Sequence, residues 1–310
     1  MLLKFLVKLL ALFIPSKNLR HKLRNWPGLV TQQDRIEREV GYIKRLLQFS
    51  FPARNIPPAQ GLMRGIQLLM VEKMQMLADL FAQNNIHYWL DFGSLLGAVR
   101  HKGFVPWDED LDIAIDMQDR DAVIRLFREK GIEYTTFHGE HSLLRIPILK
   151  VKGYVAHIDI MSYVNVKGIS DAGIEQAEAI MKKANQKFAC YADAYHLYVM
   201  ERLSKLPSVL PGDKSVYVRC VDCRLVYPSY VVDESTLYPL TTMPFEDTVF
   251  SVPCKVAEYL TCLYKDFMQW PPALFSNDVV SRMPTDSRLQ LIEILRASEC
   301  VSSSREDIGL

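Results

Sequence analysis

Cysteine is scarce in this chain of 310 residues, and net charge is almost absent. The six cysteines mostly stand alone, which excludes the disulfide framework of a small secreted domain and fits a reducing cytosol. A formal net charge of +1 argues against bulk electrostatic binding of nucleic acid. Hydrophobic residues make up 49% of the sequence and charged residues 24%. This composition indicates a soluble enzyme with a large core, in one domain or two.

A long apolar run is also lacking. Residues 1–14, MLLKFLVKLLALFI, are too few to span a bilayer, which takes about 20 apolar residues. Lys4 and Lys8 interrupt the run and share one helical face, and no Ala-x-Ala-like cleavage site follows. We therefore expect residues 1–24 to form an amphipathic helix on the inner face of the cytoplasmic membrane, so that the protein is cytoplasmic and peripheral. A terminal helix docked on the core is the alternative.

Two cysteines have the spacing of half a zinc site. Cys220 and Cys223 form a Cys-x-x-Cys pair, but no second such pair or His pair lies nearby in the sequence. Cys254 could approach them in space. Free thiols are the simpler interpretation, and the sequence leaves zinc open.

The most informative stretch is residues 90–116, LDFGSLLGAVRHKGFVPWDEDLDIAID. Asp110 and Asp112 alternate with apolar residues in the pattern of a β-strand, so both carboxylates project from one face. Like charges held this close repel unless they are neutralised, and a hard divalent cation prefers oxygen ligands. The sequence therefore predicts a site for Mg²⁺ (or Mn²⁺). Asp108 shares the parity of these residues and could support them by a hydrogen bond.

The upstream half of the stretch predicts a phosphate cradle. A strand over residues 86–92, a break at Gly93-Ser94 and a helix from residue 95 to 100 would present free backbone N–H groups to a phosphate. The Ser94 hydroxyl could add a donor. A basic segment that could hold a pyrophosphate follows at Arg100, His101 and Lys102.

These residues carry a family resemblance. Gly93-Ser94, with Asp110-Leu-Asp112 about 15 residues later, resembles the pattern of polymerase-β-like nucleotidyltransferases. The longer string YWLDFGSLLGAVRHKGFVPWDEDLD, residues 88–112, resembles the LicD family of phosphotransferases, to which the fukutin-related proteins belong. A weaker likeness continues through Asp159 and residues 245–272. In that tail Lys265 stands where a Gly usually follows the Tyr.

The resemblance implies an α+β fold: a polymerase-β-like nucleotidyltransferase core, with a mixed sheet flanked by helices and helical N- and C-terminal elaborations. We expect the catalytic core at residues 86–165. A helical region at residues 25–85 would precede it, with a long amphipathic helix predicted over residues 61–84 from apolar residues at helical spacing. A mostly helical region at residues 166–310 would follow, with a long helical stretch predicted over residues 171–206. Within the core, residues 143–150 and 154–161 are predicted to form a hairpin around Lys152-Gly153.

The resemblance also implies a reaction. LicD enzymes are understood to move phosphocholine or a polyol phosphate from a CDP-alcohol to a sugar hydroxyl of a cell-surface glycan, releasing CMP. The expected catalytic and metal-binding residues are Asp110, Asp112 and Asp159. The expected substrate-binding residues are Gly93, Ser94, Arg100, His101, Lys102 and Trp107. The expected partners are a CDP-alcohol donor, a glycan or lipid-linked glycan acceptor and the cytoplasmic membrane surface, with no nucleic acid.

Two other functions stay open at the level of sequence. A true nucleotidyltransferase would use an NTP and release pyrophosphate instead of CMP. A catalytically inactive nucleotide-binding scaffold is the second, although the retained carboxylates at 110, 112 and 159 argue against it. The sequence does not specify the alcohol or the acceptor glycan.

Overall fold

The computed structural model describes residues 51–136, 143–188, 193–219, 229–270, 280 and 283–298. The chain divides into two compact units, residues 1–53 with 269–274 and residues 54–268 with 275–310, and the second unit contains the elements described below. The predicted membrane helix at residues 1–24 and the Cys220/Cys223 pair lie outside the described residues. Within the described ranges, no helix is both long enough and apolar enough to cross a bilayer.

Helices and strands are interspersed along the described residues of the second unit. The helices are α1 Gly61–Gln83, α2 Phe92–His101, α3 Arg120–Lys130, α4 Asp171–Lys187, α5 Asp193–Leu203, α6 Leu206–Val209, α7 Glu234–Leu237, α8 Val256–Tyr264 and α9 Thr285–Ala297. The strands are β1 Tyr88–Leu90, β2 Asp110–Asp116, β3 Thr135–Thr136, β4 Leu144–Val151, β5 Tyr154–Ile169, β6 Pro211–Arg219, β7 Val231–Asp233, β8 Thr241–Phe245 and β9 Thr248–Val252.

The main sheet is mixed, as predicted. Its strands run in the order β1-β2-β5-β4-β3, and β6 and β7 continue it beyond the second half of β5. Strands β2 and β5 are parallel, whereas the other neighbouring pairs are antiparallel. The long β5 therefore lies at the centre, between β2 and β4 in its first half and beside β6 in its second. The sheet extends past residue 165 because β6 and β7 complete it.

Helix α1 covers the apolar face of this sheet. It spans 23 residues, one fewer than the prediction, and its apolar positions recur at helical spacing, with Ile66, Met70 and Met74 fully buried. The apolar residues of β2, Leu111, Ile113 and Ile115, are also fully buried. Because side chains alternate along a strand, the acidic residues of β2 project from the opposite face.

Two local predictions differ from the structure. The strand predicted over residues 86–92 is only Tyr88–Leu90, and α2 begins at Phe92, so Gly93 and Ser94 lie inside the first helical turn and are not a break before it. The reason is Asp91, whose carboxylate caps the helix by accepting from the Phe92 N–H. The long helix predicted over residues 171–206 is divided into α4, α5 and α6. The predicted hairpin around Lys152-Gly153 is present as β4 and β5.

Candidate active site

The three predicted carboxylates meet on one face of the sheet. In the parallel register of β2 and β5, Asp112 lies directly beside Asp159, and Asp110 lies directly beside His157. Side chains at paired positions of neighbouring strands share a face, so the three carboxylates and the imidazole lie together. We call the carboxylates of Asp110, Asp112 and Asp159 the acidic patch. The prediction that Asp159 would approach Asp110 and Asp112 is thus matched by the strand register.

The patch concentrates negative charge at partly buried positions, and the Asp110 side chain is 39% exposed. Burial raises the pKa of the Asp112 carboxyl well above its ordinary value, and the charges of Asp110 and Asp159 raise it further. Burial raises the pKa of Asp110 as well, against the opposing effect of His157. The pKa of Asp108 rises to about 7, mainly through burial and then through the charge of Asp110. A cluster of this kind favours binding of a cation, since a positive ion removes the cost of each ionised carboxylate.

Arg145 neutralises part of the patch. Its Nε and Nη2 donate to Oδ1 and Oδ2 of Asp159, each at 2.7 Å, in a fork-to-fork pair. The pair links β4 to β5, where Arg145 and Asp159 are registered partners. Arg145 was not among the predicted site residues.

Gly93 and Ser94 connect α2 to the acidic strand. The Asp112 N–H donates to Ser94 Oγ at 2.8 Å, so the buried serine hydroxyl is tied to the strand. A Cβ on Gly93 would lie 2.6 Å from Asp108 Oδ2 and 3.8 Å from Asp112 Oδ2. The absence of a side chain at Gly93 is therefore what lets the first turn of α2 lie against the carboxylates.

The predicted basic segment is split between the interior and the surface. Arg100 is buried, with its guanidinium 5.9 Å from the centre of the Trp107 ring, and burial lowers its pKa while the charge of Asp108 opposes this. His101 is half-buried, with Nδ1 3.5 Å from Arg100 Nε. Lys102 is exposed and ends α2 in a left-handed conformation with φ 59°. Arg100 and Trp107 thus lie near the acidic patch, whereas the Lys102 side chain is at the surface.

A buried polar network supports the cap of α2. Tyr163 and Tyr259 each donate a hydroxyl hydrogen bond to the Asp91 carboxylate, and Trp89 Nε1 donates to Tyr259 at 2.9 Å. The Arg219 guanidinium, fully buried, donates to Tyr163 and lies 5.7 Å from the Tyr259 ring centre. Burial raises the pKa of Asp91, and Arg219 opposes the rise. These contacts fix the junction between β1 and α2.

A second support comes from the C-terminal region. Glu246, which precedes β9, accepts from Arg64 Nη2 at 2.7 Å and from the Phe104 N–H at 3.1 Å. A Cβ on Gly103 would meet Glu246 Oε1 at 2.2 Å, so only glycine allows this approach. The loop that leads from α2 to Asp108 is held by these contacts.

The residues present suit a metal ion. Asp110, His157 and Asp159 each offer a ligand atom, and these atoms all lie within 4.8 Å of one another. Nε2 of His157 is buried and has no hydrogen-bond partner among the residues that the structure describes. An unpartnered nitrogen facing two carboxylates is an arrangement that suits the binding of a divalent ion. Asp112 lies on the same face but outside this group of three.

Comparison with known proteins identifies the region that carries the site. Residues 85–196 match the family model described as LicD/FKTN/FKRP, nucleotidyltransferase domain. Residues 85–196 belong to the LicD family. This LicD domain contains the acidic patch, its two partners Arg145 and His157, and the whole of α2.

Curated relatives match the chain over limited stretches. An uncharacterized protein of Rickettsia typhi is 35% identical over 106 residues, which is 32% of this chain and 34% of the relative. The lipopolysaccharide cholinephosphotransferase LicD of Haemophilus influenzae is 28% identical over 82 residues, 26% of this chain and 31% of that enzyme. The human ribitol 5-phosphate transferase FKRP is 53% identical over 34 residues, 11% of this chain and 7% of FKRP. These matches span at most about a third of the relatives' lengths.

Among solved structures, the lincomycin-bound lincosamide antibiotic adenylyltransferase LnuA aligns with a TM-score of 0.31 at 14% identity, covering 73% of this chain and 95% of LnuA. A likeness this weak carries no argument about the fold or the function of this chain.

Two residues of the LicD domain were missed by sequence reasoning. His157 precedes Asp159 by two positions in an alternating strand, so its parity alone placed it on the acidic face. Arg145 carried no such signal. A regular hairpin that pairs Lys150 with Val155 would set residue 145 opposite 160, and only the register shift between Pro147 and Leu149 brings Arg145 opposite Asp159.

Proposed function

We propose that this protein transfers a phospho-alcohol, phosphocholine or a polyol phosphate, from a CDP-alcohol to a sugar hydroxyl of a cell-surface glycan, with release of CMP. One observation carries the proposal. Asp110, Asp112 and Asp159 lie on one face of the adjacent strands β2 and β5 within a LicD domain, and Asp112 lies beside the first turn of α2. This arrangement supports the proposal that a metal ion and a phosphate would bind at one place.

The donor's pyrophosphate would lie between the acidic patch and α2. Asp110 and Asp112, with Asp159, would hold Mg²⁺ or Mn²⁺, which when bound would neutralise charge on the pyrophosphate and at the attacked phosphorus. The first turn of α2 offers backbone N–H groups and, at Gly93, an open approach to the patch.

Arg100 is the second element of phosphate recognition in this proposal. Its buried guanidinium lies near Asp108 and Trp107, and its planar donors match phosphate oxygens better than the point charge of a lysine. His101 and Trp107 adjoin it and would line the donor pocket. Lys102, at the surface, would assist from the rim.

Two roles are open to Asp159: it would either hold the metal ion or remove the proton from the sugar hydroxyl. Both of its oxygens accept hydrogen bonds from Arg145, so the removal of a proton from the sugar hydroxyl would require Arg145 to release at least one oxygen. A role in holding and orienting the ion needs no such release, because a carboxylate has lone pairs beyond those that Arg145 uses. We therefore assign Asp159 to the ligand set first and to proton removal second.

The acceptor and the location belong to the proposal too. The Haemophilus relative is named for lipopolysaccharide and the human relative for ribitol 5-phosphate, so a glycan or lipid-linked glycan acceptor is consistent with both names. A lipid-linked acceptor would place the enzyme at the inner face of the cytoplasmic membrane, where the basic, apolar residues 1–24 would attach it peripherally.

The experiment is a screen of the purified protein with CDP-choline, CDP-ribitol and CDP-glycerol against a panel of sugar acceptors, measuring CMP. We expect CMP release with one donor, dependent on Mg²⁺ or Mn²⁺ and abolished by EDTA. A parallel assay with the four NTPs, measuring pyrophosphate, tests the nucleotidyltransferase. Pyrophosphate release without CMP release from any CDP-alcohol would replace the proposal, and no turnover in either assay would favour the binding scaffold.

A further inference from the structure

His157 has the hydrogen-bonding pattern of a metal ligand. Its Nδ1 lies 3.0 Å from the Val155 carbonyl oxygen. A carbonyl oxygen only accepts, so Nδ1 is the donor in this contact, and Nε2 is the nitrogen left to bind a metal ion. This division of roles, with one nitrogen donating to a backbone carbonyl, is what orients most metal-bound imidazoles.

The lone pair points into the acidic patch. Nε2 lies 3.8 Å from Asp110 Oδ2 and 3.6 Å from Asp159 Oδ2, too far for a hydrogen bond to either. The histidine side chain is 14% exposed, and Nε2 itself is buried. Ligands about 2.1 Å from a shared ion lie roughly 3.0 to 3.4 Å apart. The two nitrogen–oxygen distances would therefore shorten by only a few tenths of an ångström around an ion, and all three ligand atoms already lie within 4.8 Å of one another.

We propose that His157 is the nitrogen ligand of the divalent ion held with Asp110 and Asp159, and that it makes this site bind Mn²⁺ in preference to Mg²⁺. An imidazole nitrogen binds transition ions better than Mg²⁺, which demands oxygen ligands and gives up its waters reluctantly. A site built from carboxylates alone would have a weaker preference for Mn²⁺. The use of the ion in catalysis rests on the proposed function, whereas its binding does not.

Arg145 sets the balance of charge around the ion. Because Arg145 pairs with Asp159, the charge of a divalent cation would be balanced mainly by Asp110 and only in part by Asp159. His157 would add a ligand atom and no negative charge. Asp112 lies outside this group of three and would be free to hold a second ion with Asp110. His157 would therefore add one ligand to the ion that Asp110 and Asp159 hold.

The test measures metal binding in the full-length protein without nucleotide. Bound and free Mn²⁺ are separated by EPR, Mg²⁺ competes for the site, and electron spin echo modulation detects ¹⁴N coupled to bound Mn²⁺. We expect the wild type to show this nitrogen coupling and to bind Mn²⁺ at least about tenfold more tightly than Mg²⁺. His157→Leu should lose the coupling and weaken Mn²⁺ binding about tenfold or more, with a smaller effect on Mg²⁺.

His87→Leu is the matched control, because His87 is an exposed histidine just before β1. Its coupling and affinities should equal those of the wild type. Absence of nitrogen coupling in the wild type overturns the inference even if His157→Leu fails to fold, and so does unchanged Mn²⁺ binding in a folded His157→Leu. Turnover of CDP-alcohols on the same preparations reports separately on the proposed function. Nitrogen coupling without turnover would support His157 as a ligand and reject the proposed reaction. Turnover without nitrogen coupling would support the reaction and reject His157 as a ligand.

Discussion

At the scale of single residues, the site is a balance of buried charges. Asp110 and Asp112 sit together where burial penalises both, and Arg145, Arg100 and His157 are the cationic or neutral partners that the chain itself provides around them. Removal of one member of such a group leaves the others unmatched, so substitutions here should act on function or on stability according to whether the group faces the substrate or the core.

Asp112→Asn should abolish transfer and leave the fold intact. The change removes one carboxylate charge from the metal-binding face but keeps the size of the side chain. We expect kcat to fall at least about a hundredfold, equivalent to about 2.7 kcal/mol of activation free energy. CMP release measures the activity and circular dichroism the fold. Asp121→Asn, an exposed position on α3, is the control and should keep wild-type activity. Near-normal turnover by a folded Asp112→Asn would show that Asp112 is not a metal ligand.

Arg219→Leu should act on stability. Arg219 is fully buried beside Tyr163 and Tyr259, and its charge offsets that of the buried Asp91. Loss of the guanidinium leaves a buried carboxylate without a cation, which typically costs about 3–5 kcal/mol. Urea unfolding followed by far-UV circular dichroism measures the effect. Arg125→Leu, an exposed arginine on α3, should change the free energy of unfolding by less than about 0.5 kcal/mol. A similarly small change in Arg219→Leu would contradict a supporting role for the network.

At the scale of elements, the start of α2 and the end of α8 are the two helix ends that matter for the site. Asp91 begins α2, and the network of Tyr163, Tyr259 and Arg219 keeps that cap in place. Helix α8 carries Tyr259 and ends at Tyr264, and the next residue, Lys265, has φ 60° and ψ −100°. This conformation suits glycine and strains a residue that has a Cβ. The geometry fits the Gly that usually follows the Tyr in the element that this tail resembles.

Lys265→Gly should therefore stabilise the protein. Relief of the left-handed strain outweighs the added freedom of glycine in the unfolded chain, and we expect the free energy of unfolding to rise by about 1 kcal/mol. Lys255→Gly, at the opposite end of α8 with φ −112°, relieves no strain and should be neutral or destabilising. Thermal and urea unfolding of the two variants form the comparison. Equal effects of the two substitutions would mean that Lys265 is not strained.

At the scale of the whole molecule, the LicD domain depends on residues outside it. The family match ends at residue 196, yet Arg219, Glu246 and Tyr259 lie beyond that point and fix the α2 junction and the following loop. Strands β6 and β7 also complete the sheet beside β5. The C-terminal region thus supports the site directly, whereas we propose from composition that residues 1–24 serve location and not chemistry.

Deletion of residues 1–24 should leave transfer to a soluble sugar acceptor nearly unchanged and reduce binding to anionic vesicles. Each basic residue near such a surface contributes about 1 kcal/mol, and the apolar side chains add burial. Sedimentation with phosphatidylglycerol vesicles measures attachment, and full-length binding should weaken at high salt because the charges are screened. A truncated protein that unfolds or loses activity on the soluble acceptor would assign the segment to the folded core.

Much of the site followed from the sequence because local rules determine it. The alternation around Asp110 and Asp112 fixed a strand and the face of both carboxylates, and the 3.6-residue periodicity of residues 61–84 fixed α1 almost to the residue. The Gly-Ser pair and the acidic strand also carried the resemblance that the family match bears out. The start of α2 was misjudged because the cap at Asp91 outweighed the glycine as a boundary signal.

The partners across the sheet were decided only by the tertiary structure. Sequence parity placed His157 on the face of Asp159, but only the parallel register of β2 and β5 set His157 beside Asp110. The pairing of Arg145 with Asp159 depends on a one-residue register shift in β4, because without it every side chain before the shift would face the other way. Local sequence fixes which side chains share a strand face; which neighbouring strand, in which register, completes the site depends on packing over the whole sheet.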